Sequence, residues 1–237
     1  GDDAGGYGDC RMFTEGTGKK SGHPILMTRR LVLRPFEKKD LNAILTIFGD
    51  EELNTFLPWF PLKTMEDARQ FFLERYERFY HDLPESPQKG NWEFRYAVCR
   101  REEDIPIGYV HLGGDDSHDL GYGLKREFRG QGLMTEAAGA VLDYAGDSGL
   151  PFVTATHDVK NPKSGRVMER LGLTYRYSYE EFWQPKGFLV TFRMYQKNFD
   201  GSDGTFMGYW EQSKVHFVSG PQSEELCPDK EPTNRGV

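Results

Sequence analysis

Cysteine is scarce in this chain. Its three cysteines, Cys10, Cys99 and Cys227, are far apart and form no Cys-x-x-Cys pair. That leaves nothing for a disulfide framework or a zinc site, no metal is expected, and a reducing cytoplasm is the expected compartment. Long apolar runs are missing too. None approaches the roughly 18 residues that cross a bilayer, so no membrane partner is expected. Positive charge is in deficit: Lys and Arg number 30 against 37 Asp and Glu, a net charge of −7. Neutralising phosphates needs a basic surface, so nucleic acid is not an expected partner, whereas a cationic one would suit the charge. What the chain does have is a 37% hydrophobic content with 14% aromatics in 237 residues, enough to pack one sizeable α/β domain.

The ends are polar. Residues 1–24 read as a flexible leader and 219–237, with Pro221, Pro228 and Pro232, as a disordered tail. Residues 25–218 read as a single domain, in which 199–218 is an extension packed on the rest. Its Phe206–Phe217 stretch holds Tyr209, Trp210 and Phe217.

Periodicity places the elements. A strand is expected at 31–35. Asp40 should cap a helix bearing Leu41, Ile44, Leu45 and Phe48, stopped by Gly49. Thr64 should cap a second helix that runs to about Tyr80. Strands follow at 92–100, 105–112, 120–124 and 152–156, with a helix from Gly132 to about Ala145. Asn161 is a favoured N-cap for a helix over 162–171, and Gly172 ends it. Segments 174–183 and 188–197 should form a hairpin. The order implies a mixed sheet flanked by helices rather than regular βαβ repeats.

Two stretches carry chemistry. In Leu120-Gly-Tyr-Gly-Leu-Lys-Arg-Glu-Phe-Arg-Gly-Gln-Gly-Leu-Met-Thr135 a strand enters a glycine-rich turn that opens directly into a helix. Free main-chain N–H groups and the positive end of the helix dipole then converge, as a phosphate or pyrophosphate requires. The turn lacks Gly-Lys-Ser/Thr and does not fit Gly-x-Gly-x-x-Gly, so it is not a common nucleotide loop. The second stretch is Asn161-Pro-Lys-Ser-Gly-Arg-Val-Met-Glu-Arg-Leu-Gly-Leu173, in which Ser164 shares a helical face with Val167, Met168 and Leu171.

Together these stretches resemble the GNAT superfamily of N-acetyltransferases. Arg129, Gly132 and position 134 align with its Gln/Arg-x-x-Gly-x-Gly/Ala signature, and Asn161-x-x-Ser164 with its helix motif. Thr28–Phe36, Gly121-Tyr122 and Thr135-Glu-Ala137 are similar to the branch that acetylates the N-termini of ribosomal proteins. Met134 departs from the Gly or Ala of the signature, which puts the grip on the cofactor there in question.

The resemblance covers about residues 27–198. It implies the acyl-CoA N-acyltransferase fold, an α/β (α+β mixed sheet) architecture with a twisted central sheet of about seven strands. It implies acetyl-CoA as co-substrate, lying where strands 120–124 and 152–156 splay. The groups implied to hold it are Tyr122, Gly123, Leu124, Arg129, Gly130, Gln131, Gly132, Leu133, Met134, Thr135, Asn161 and Ser164. The second substrate is an amine, on a small molecule or a protein N-terminus, acetylated by direct attack through a tetrahedral intermediate. A homodimer is compatible with the resemblance.

Ser164 is the candidate donor to the leaving thiolate, and the backbone N–H near Tyr122 the candidate oxyanion donor. For the base, alternation allows one of Glu180 and Glu181 to face the acceptor, and Glu181 is chosen. His111 and His157 are alternatives, with His157 also a candidate for acceptor binding beside Trp59 and Phe60. Glu136, in the first turn of the glycine-turn helix, is explained by the helix dipole. A non-catalytic acyl-CoA-binding regulatory module is the second reading, and an unrelated nucleotide-binding domain the third.

Overall fold

A computed structural model describes residues 23–57, 59–84 and 92–220. The expected leader up to Gly22 and the expected tail from Pro221 lie outside the described residues. Two residues assigned to the leader belong to the fold. His23 is buried among Phe79, Tyr80, Phe94 and Tyr96, its Nε2 accepting from the Arg95 N–H at 3.0 Å. The Pro24 carbonyl accepts from the Tyr96 hydroxyl at 2.7 Å.

Among the described residues, nine strands form two antiparallel sheets. Strands β1 (Leu26–Met27), β2 (Leu31–Arg34), β3 (Phe94–Arg100), β4 (Pro106–Leu112) and β5 (Leu120–Leu124) make the first, in sequence order. The second contains β6 (Phe152–Asp158), β7 (Thr174–Trp183), β8 (Phe188–Asn198) and β9 (His216–Phe217), in the order β6-β8-β7-β9. The expected sheet of about seven strands is thus two sheets. Their hydrogen-bonded contact is a parallel bridge, Asp119 to Thr154, beyond which β5 and β6 part. The extra strands β1 and β9 are two residues each, too short for alternation to reveal.

Each face is covered differently. Leu120 and Leu124 of β5 and Val153 and Ala155 of β6 point to the back face. There they pack on α5 (Leu133–Asp147) and α6 (Pro162–Arg170) through Ala137, Ala138, Val141 and Met168. The front face of the first sheet packs on α1 (Leu41–Phe48) and α3 (Met65–Phe72) through Ile44, Phe48, Phe72 and Tyr109. A short α2 (Glu51–Asn54) follows α1, and α3 continues through a π-helical turn, Leu73–Glu77, into α4 (Arg78–Asp82).

The front face of the second sheet is covered by the segment after β8. Its α7 (Gly208–Gln212) lays Tyr209 and Trp210 on the cluster of Tyr177, Tyr179, Phe192 and Met194. Its β9 then pairs with the outer edge of β7, Phe217 opposite Ser178.

The caps divide. Thr64 accepts from the Asp67 N–H at 3.0 Å in a full capping box. Asp40 and Asn161 occupy their N-cap positions without a side-chain cap. Asp40 is drawn instead to the Arg34 guanidinium, a buried bidentate pair at 2.7 and 2.9 Å, which outcompetes a single N–H. Pro162 at N1 has no N–H to satisfy, and the Asn161 amide is left free of the helix it precedes.

Candidate functional site

The glycine-rich turn is held open by its backbone. Gly130 has φ +78° and Gly132 φ +75°, conformations costly for other residues. A Cβ at Gly130 would meet nothing within 4 Å. Gly132 is the N-cap of α5 and brings no side chain, so the helix's first N–H groups have no protein acceptor from a cap. The turn is braced from outside. Arg129 donates Nε to the Leu124 carbonyl at 3.0 Å and Nη1 to Glu52 at 3.3 Å. Arg30 joins its Nε to Glu136 at 2.9 Å and its Nη1 to the Gln131 carbonyl at 3.0 Å. The Thr28 hydroxyl donates to the other oxygen of Glu136 at 2.6 Å. Glu136 therefore does more than meet the dipole: it ties strand β2's approach to the turn.

Leu133 and Met134 point their side chains into the core. What they offer a ligand is their N–H groups. The Met134 departure from the signature thus enlarges the core behind the turn and does not fill the cradle.

On the back face, Tyr122 and Ser164 meet. The Tyr122 hydroxyl donates to the Ser164 carbonyl at 2.8 Å and lies 3.2 Å from Ser164 Oγ. The bond joins β5 to the first turn of α6 across the gap where the strands diverge. Burial pushes the Tyr122 phenol well above its ordinary range, so it stays protonated.

His157 is also placed on the back face. It lies under α6, where a Cβ on Gly165 would come within 2.6 Å of its Nε2. Its Nδ1 donates to the Asp158 carbonyl at 2.8 Å, and burial lowers its pKa. Because β6 alternates, Thr154 and Thr156 take the front and His157 the back, away from the space over Gly121.

The front face holds a different set. Gly121 is opposite His111 and Gly123 opposite Tyr109. A Cβ on Gly123 would strike the Tyr109 ring at 2.6 Å, but one on Gly121 would meet nothing within 4 Å. An open space therefore stands over Gly121. His111 borders it, hydrogen-bonded to the Tyr76 hydroxyl at 2.8 Å and lowered to about 3 by burial, with Arg95 and Arg75 adding to the effect. It is neutral and already engaged. Two residues before Gly121 is Asp119, whose Oδ1 is sealed from solvent with no hydrogen-bond partner. Burial, and then the charges of Asp115 and Glu181, push its pKa up to about 7.

Glu181 points to the front with Tyr179, while Glu180 takes the back. Glu181 is exposed as a residue, yet desolvation of its carboxylate raises its pKa. Trp59 carries the Arg75 guanidinium 4.6 Å from its ring centroid, and Phe60 is exposed. The β7–β8 turn reaches α2, where Lys186 Nζ donates to the Asn54 carbonyl at 2.7 Å. Cys99 is buried, with its thiol pushed up to about 11 by desolvation, and is no nucleophile. Among the described residues no cluster of His, Cys, Asp and Glu could hold a metal ion, and no helix is long and apolar enough to cross a membrane.

Asp119, Tyr179, Tyr209 and Lys186 escape sequence reasoning. For Asp119 the signal was present, since alternation sets it on the face of Gly121. For Tyr209 the sequence gives the packing of the extension on the domain but not its contact with Tyr179.

A strand pair that parts after one bridge, next to an uncapped glycine turn, is the geometry that the GNAT resemblance implies. Residues 30–174 match the family model described as an acetyltransferase (GNAT) domain. The chain belongs to the GNAT acetyltransferase family. An uncharacterized N-acetyltransferase of Bacillus subtilis, YnaD, is 28% identical over 152 residues, which cover 62% of this chain and 81% of that protein. Two solved structures share the fold. The ribosomal-protein-S5-alanine acetyltransferase of Vibrio fischeri matches with a TM-score of 0.58 and 21% identity, over 75% of this chain and 97% of that one. The spermidine N-acetyltransferase of Vibrio cholerae, in complex with CoA and spermine, matches with a TM-score of 0.58 and 17% identity, over 72% and 96%. The GNAT match ends at residue 174, the first residue of β7, so the rest of β7, β8 and the segment after them lie beyond it.

Proposed function

We propose that this GNAT enzyme transfers an acetyl group from acetyl-CoA to a primary amine by direct attack, with the thioester on the back face and the amine on the front. The observation that carries the reading is the parting of β5 and β6 after the Asp119–Thr154 bridge, which leaves main-chain groups of β5 without a strand partner beside the uncapped end of α5. Pantetheine amides pair with Tyr122, Gly123 and Leu124, and the diphosphate lies on the N–H groups from Gly130 to Thr135. Asn161, its amide free of the helix, completes the grip.

The amine arrives over Gly121, where the space is open. Its nitrogen attacks the thioester carbon, and the backbone N–H near Tyr122 holds the oxyanion. The C–N bond forms, the C–S bond breaks, and the proton balance is kept on opposite faces. Asp119, about 7 Å from Gly121 along the strand, takes the amine proton directly or through one water. The leaving thiolate accepts a hydrogen bond from Ser164 Oγ, which lies 3.2 Å from the Tyr122 hydroxyl, and takes its proton from solvent. Glu181 is the more solvated partner of Asp119 and holds positive charge at the mouth. Trp59 and Phe60 border the entrance from the α2–α3 loop. The products are the acetylated amine and free CoA.

Calorimetry with acetyl-CoA and free-thiol release over a panel of amines and N-terminal peptides test the proposal. Micromolar binding and turnover of at least one amine are expected. No binding at millimolar acetyl-CoA would end it, and binding without turnover would make the chain an acyl-CoA-binding module.

A further inference from the structure

Glycine is a poor helix former, yet α6 has Gly165 in its first turn, directly after Ser164. The ring of His157 explains it. A Cβ on Gly165 would come within 2.6 Å of His157 Nε2, 3.1 Å of Cδ2 and 3.2 Å of Cε1. The far edge of the imidazole thus fills the place where any other residue would put its first side-chain carbon.

The ring is wedged there. It is 6% exposed and packs on the buried Tyr195 ring, with centroids 5.4 Å apart. Its Nδ1 donates to the Asp158 carbonyl at 2.8 Å, and the same carbonyl accepts from the Asn161 N–H at 2.8 Å. Asp158 Oδ1 accepts from the Lys160 N–H at 2.9 Å. One side of the imidazole therefore ties the turn that leads from β6 into α6, and the other side carries the helix that the turn begins. A carbonyl only accepts, so Nδ1 bears the proton of the neutral ring. Nε2 faces Gly165, sealed from solvent, and the contact there is one of packing. The ring cannot swing aside without breaking its bond to Asp158.

Ser164 stands on this support. Its carbonyl accepts from the Tyr122 hydroxyl at 2.8 Å, and its Oγ lies 3.2 Å from the same oxygen. Lifting the start of α6 by the width of a methyl would carry both away from Tyr122. Misplacing a group at a reacting centre by about 1 Å can cost about a hundredfold in rate.

We propose that His157 is a positioning residue: its imidazole is the spacer that sets how deep the first turn of α6 lies on the sheet, and so holds Ser164 at Tyr122 beside the leaving sulfur. The inference rests on the acyl-transfer reading above and adds a residue that acts through Ser164 without touching either substrate.

The experiment uses the full chain and the best acceptor of the amine and peptide panel, with free CoA release giving kcat and KM separately. Gly165→Ala sets a methyl against the ring and should lower kcat by roughly tenfold or more, with the amine's KM within about twofold of wild type because its space is on the front face. His157→Asn keeps a donor for the Asp158 carbonyl and removes the far edge of the ring, and should lower kcat by roughly threefold. The double variant puts the methyl where the ring was and should be at least about fivefold faster than Gly165→Ala. In a Ser164→Ala background each substitution should cost no more than about twofold, since the group it displaces is gone. A merely structural role would lower the rate equally with and without Ser164. Melting curves set the assay temperature below every transition, and were Gly165→Ala not to fold, His157→Asn with and without Ser164 carries the test. Wild-type kcat in the single variants, a double variant no faster than Gly165→Ala, or an undiminished loss in the Ser164→Ala background would each overturn the proposal and leave the acyl-transfer reading standing. A wild type that binds no acetyl-CoA or turns over no acceptor would overturn both.

Discussion

The Tyr122 hydroxyl donates to the Ser164 carbonyl at 2.8 Å, and so holds β5 to the start of α6 where β5 and β6 have already parted. In the proposed reaction that bond keeps two hydroxyls beside the leaving sulfur. Ser164→Ala removes one and leaves the carbonyl that Tyr122 bonds. It should bind acetyl-CoA as the wild type does and lose turnover by roughly tenfold or more, the scale of a positioned donor. Tyr122→Phe removes the other hydroxyl together with the tie, and should lower both turnover and acetyl-CoA affinity. Stopped-flow thiol release with parallel calorimetry separates the two. Equal rates for Ser164→Ala and wild type would take Ser164 out of the chemistry.

Gly121 gives a sharper steric test. The residue is in a strand with ordinary backbone geometry, and a Cβ there would meet no protein atom within 4 Å. Gly121→Ala should therefore fold with unchanged or slightly higher stability, since alanine loses less entropy on folding. The methyl would project into the space assigned to the amine. We expect kcat/KM for the amine to fall at least tenfold, with acetyl-CoA affinity kept because the proposed cofactor site is on the other face. A variant that is fully active would move the amine away from Gly121.

The elements around both sites were legible in the sequence because their signals are local. Helical spacing at Leu41, Ile44, Leu45 and Phe48, the cap at Thr64 and the glycine at 172 each depend on neighbours along the chain. The glycine turn and Asn161-x-x-Ser164 were legible for the same reason. What stayed hidden depends on which strands pair. His157 takes the back face once register fixes the faces of β6, and a one-residue slip in register reverses a face. Asp40 looked like a cap until the fold brought Arg34 against it. Tyr209 could be expected on the core but not against a particular strand, because the segment that carries it has no periodicity of its own.

Asp119 makes the pH dependence specific. With its pKa raised to about 7, its carboxylate is mostly neutral at pH 6 and mostly charged at pH 8. The wild-type kcat/KM should fall by about tenfold per pH unit below that value, as expected when a base must be free. Asp119→Asn should lose most of the rate and the inflection with it. Stability runs the other way. The folded pKa lies above the unfolded one, so the protonated form is favoured by folding, and stability is lost as pH rises from the unfolded pKa near 4 towards 7. Thermal melts should show Asp119→Asn more stable than wild type at pH 8, and the two close together at pH 4. A less active variant that is also less stable at pH 8 would mark Asp119 as structural.

Glu136 tests the brace behind the turn. Its carboxylate takes the Thr28 hydroxyl at 2.6 Å, the Arg30 N–H at 3.0 Å and Arg30 Nε at 2.9 Å, and those bonds hold its pKa low against some desolvation. The same Arg30 reaches the Gln131 carbonyl, between the two glycines of positive φ. Removing the carboxylate frees Arg30, and with it the turn, without touching the N–H groups themselves. Glu136→Ala should therefore weaken acetyl-CoA binding by roughly fivefold to tenfold, the scale of one or two lost charge-assisted hydrogen bonds acting through position. The amine's KM at saturating acetyl-CoA should be unchanged, since the front face does not meet this network. Arg30→Ala should match Glu136→Ala, and the double variant should be little worse than either single one, because each breaks the same tie. Additive losses in that cycle would show two separate roles and refute the brace.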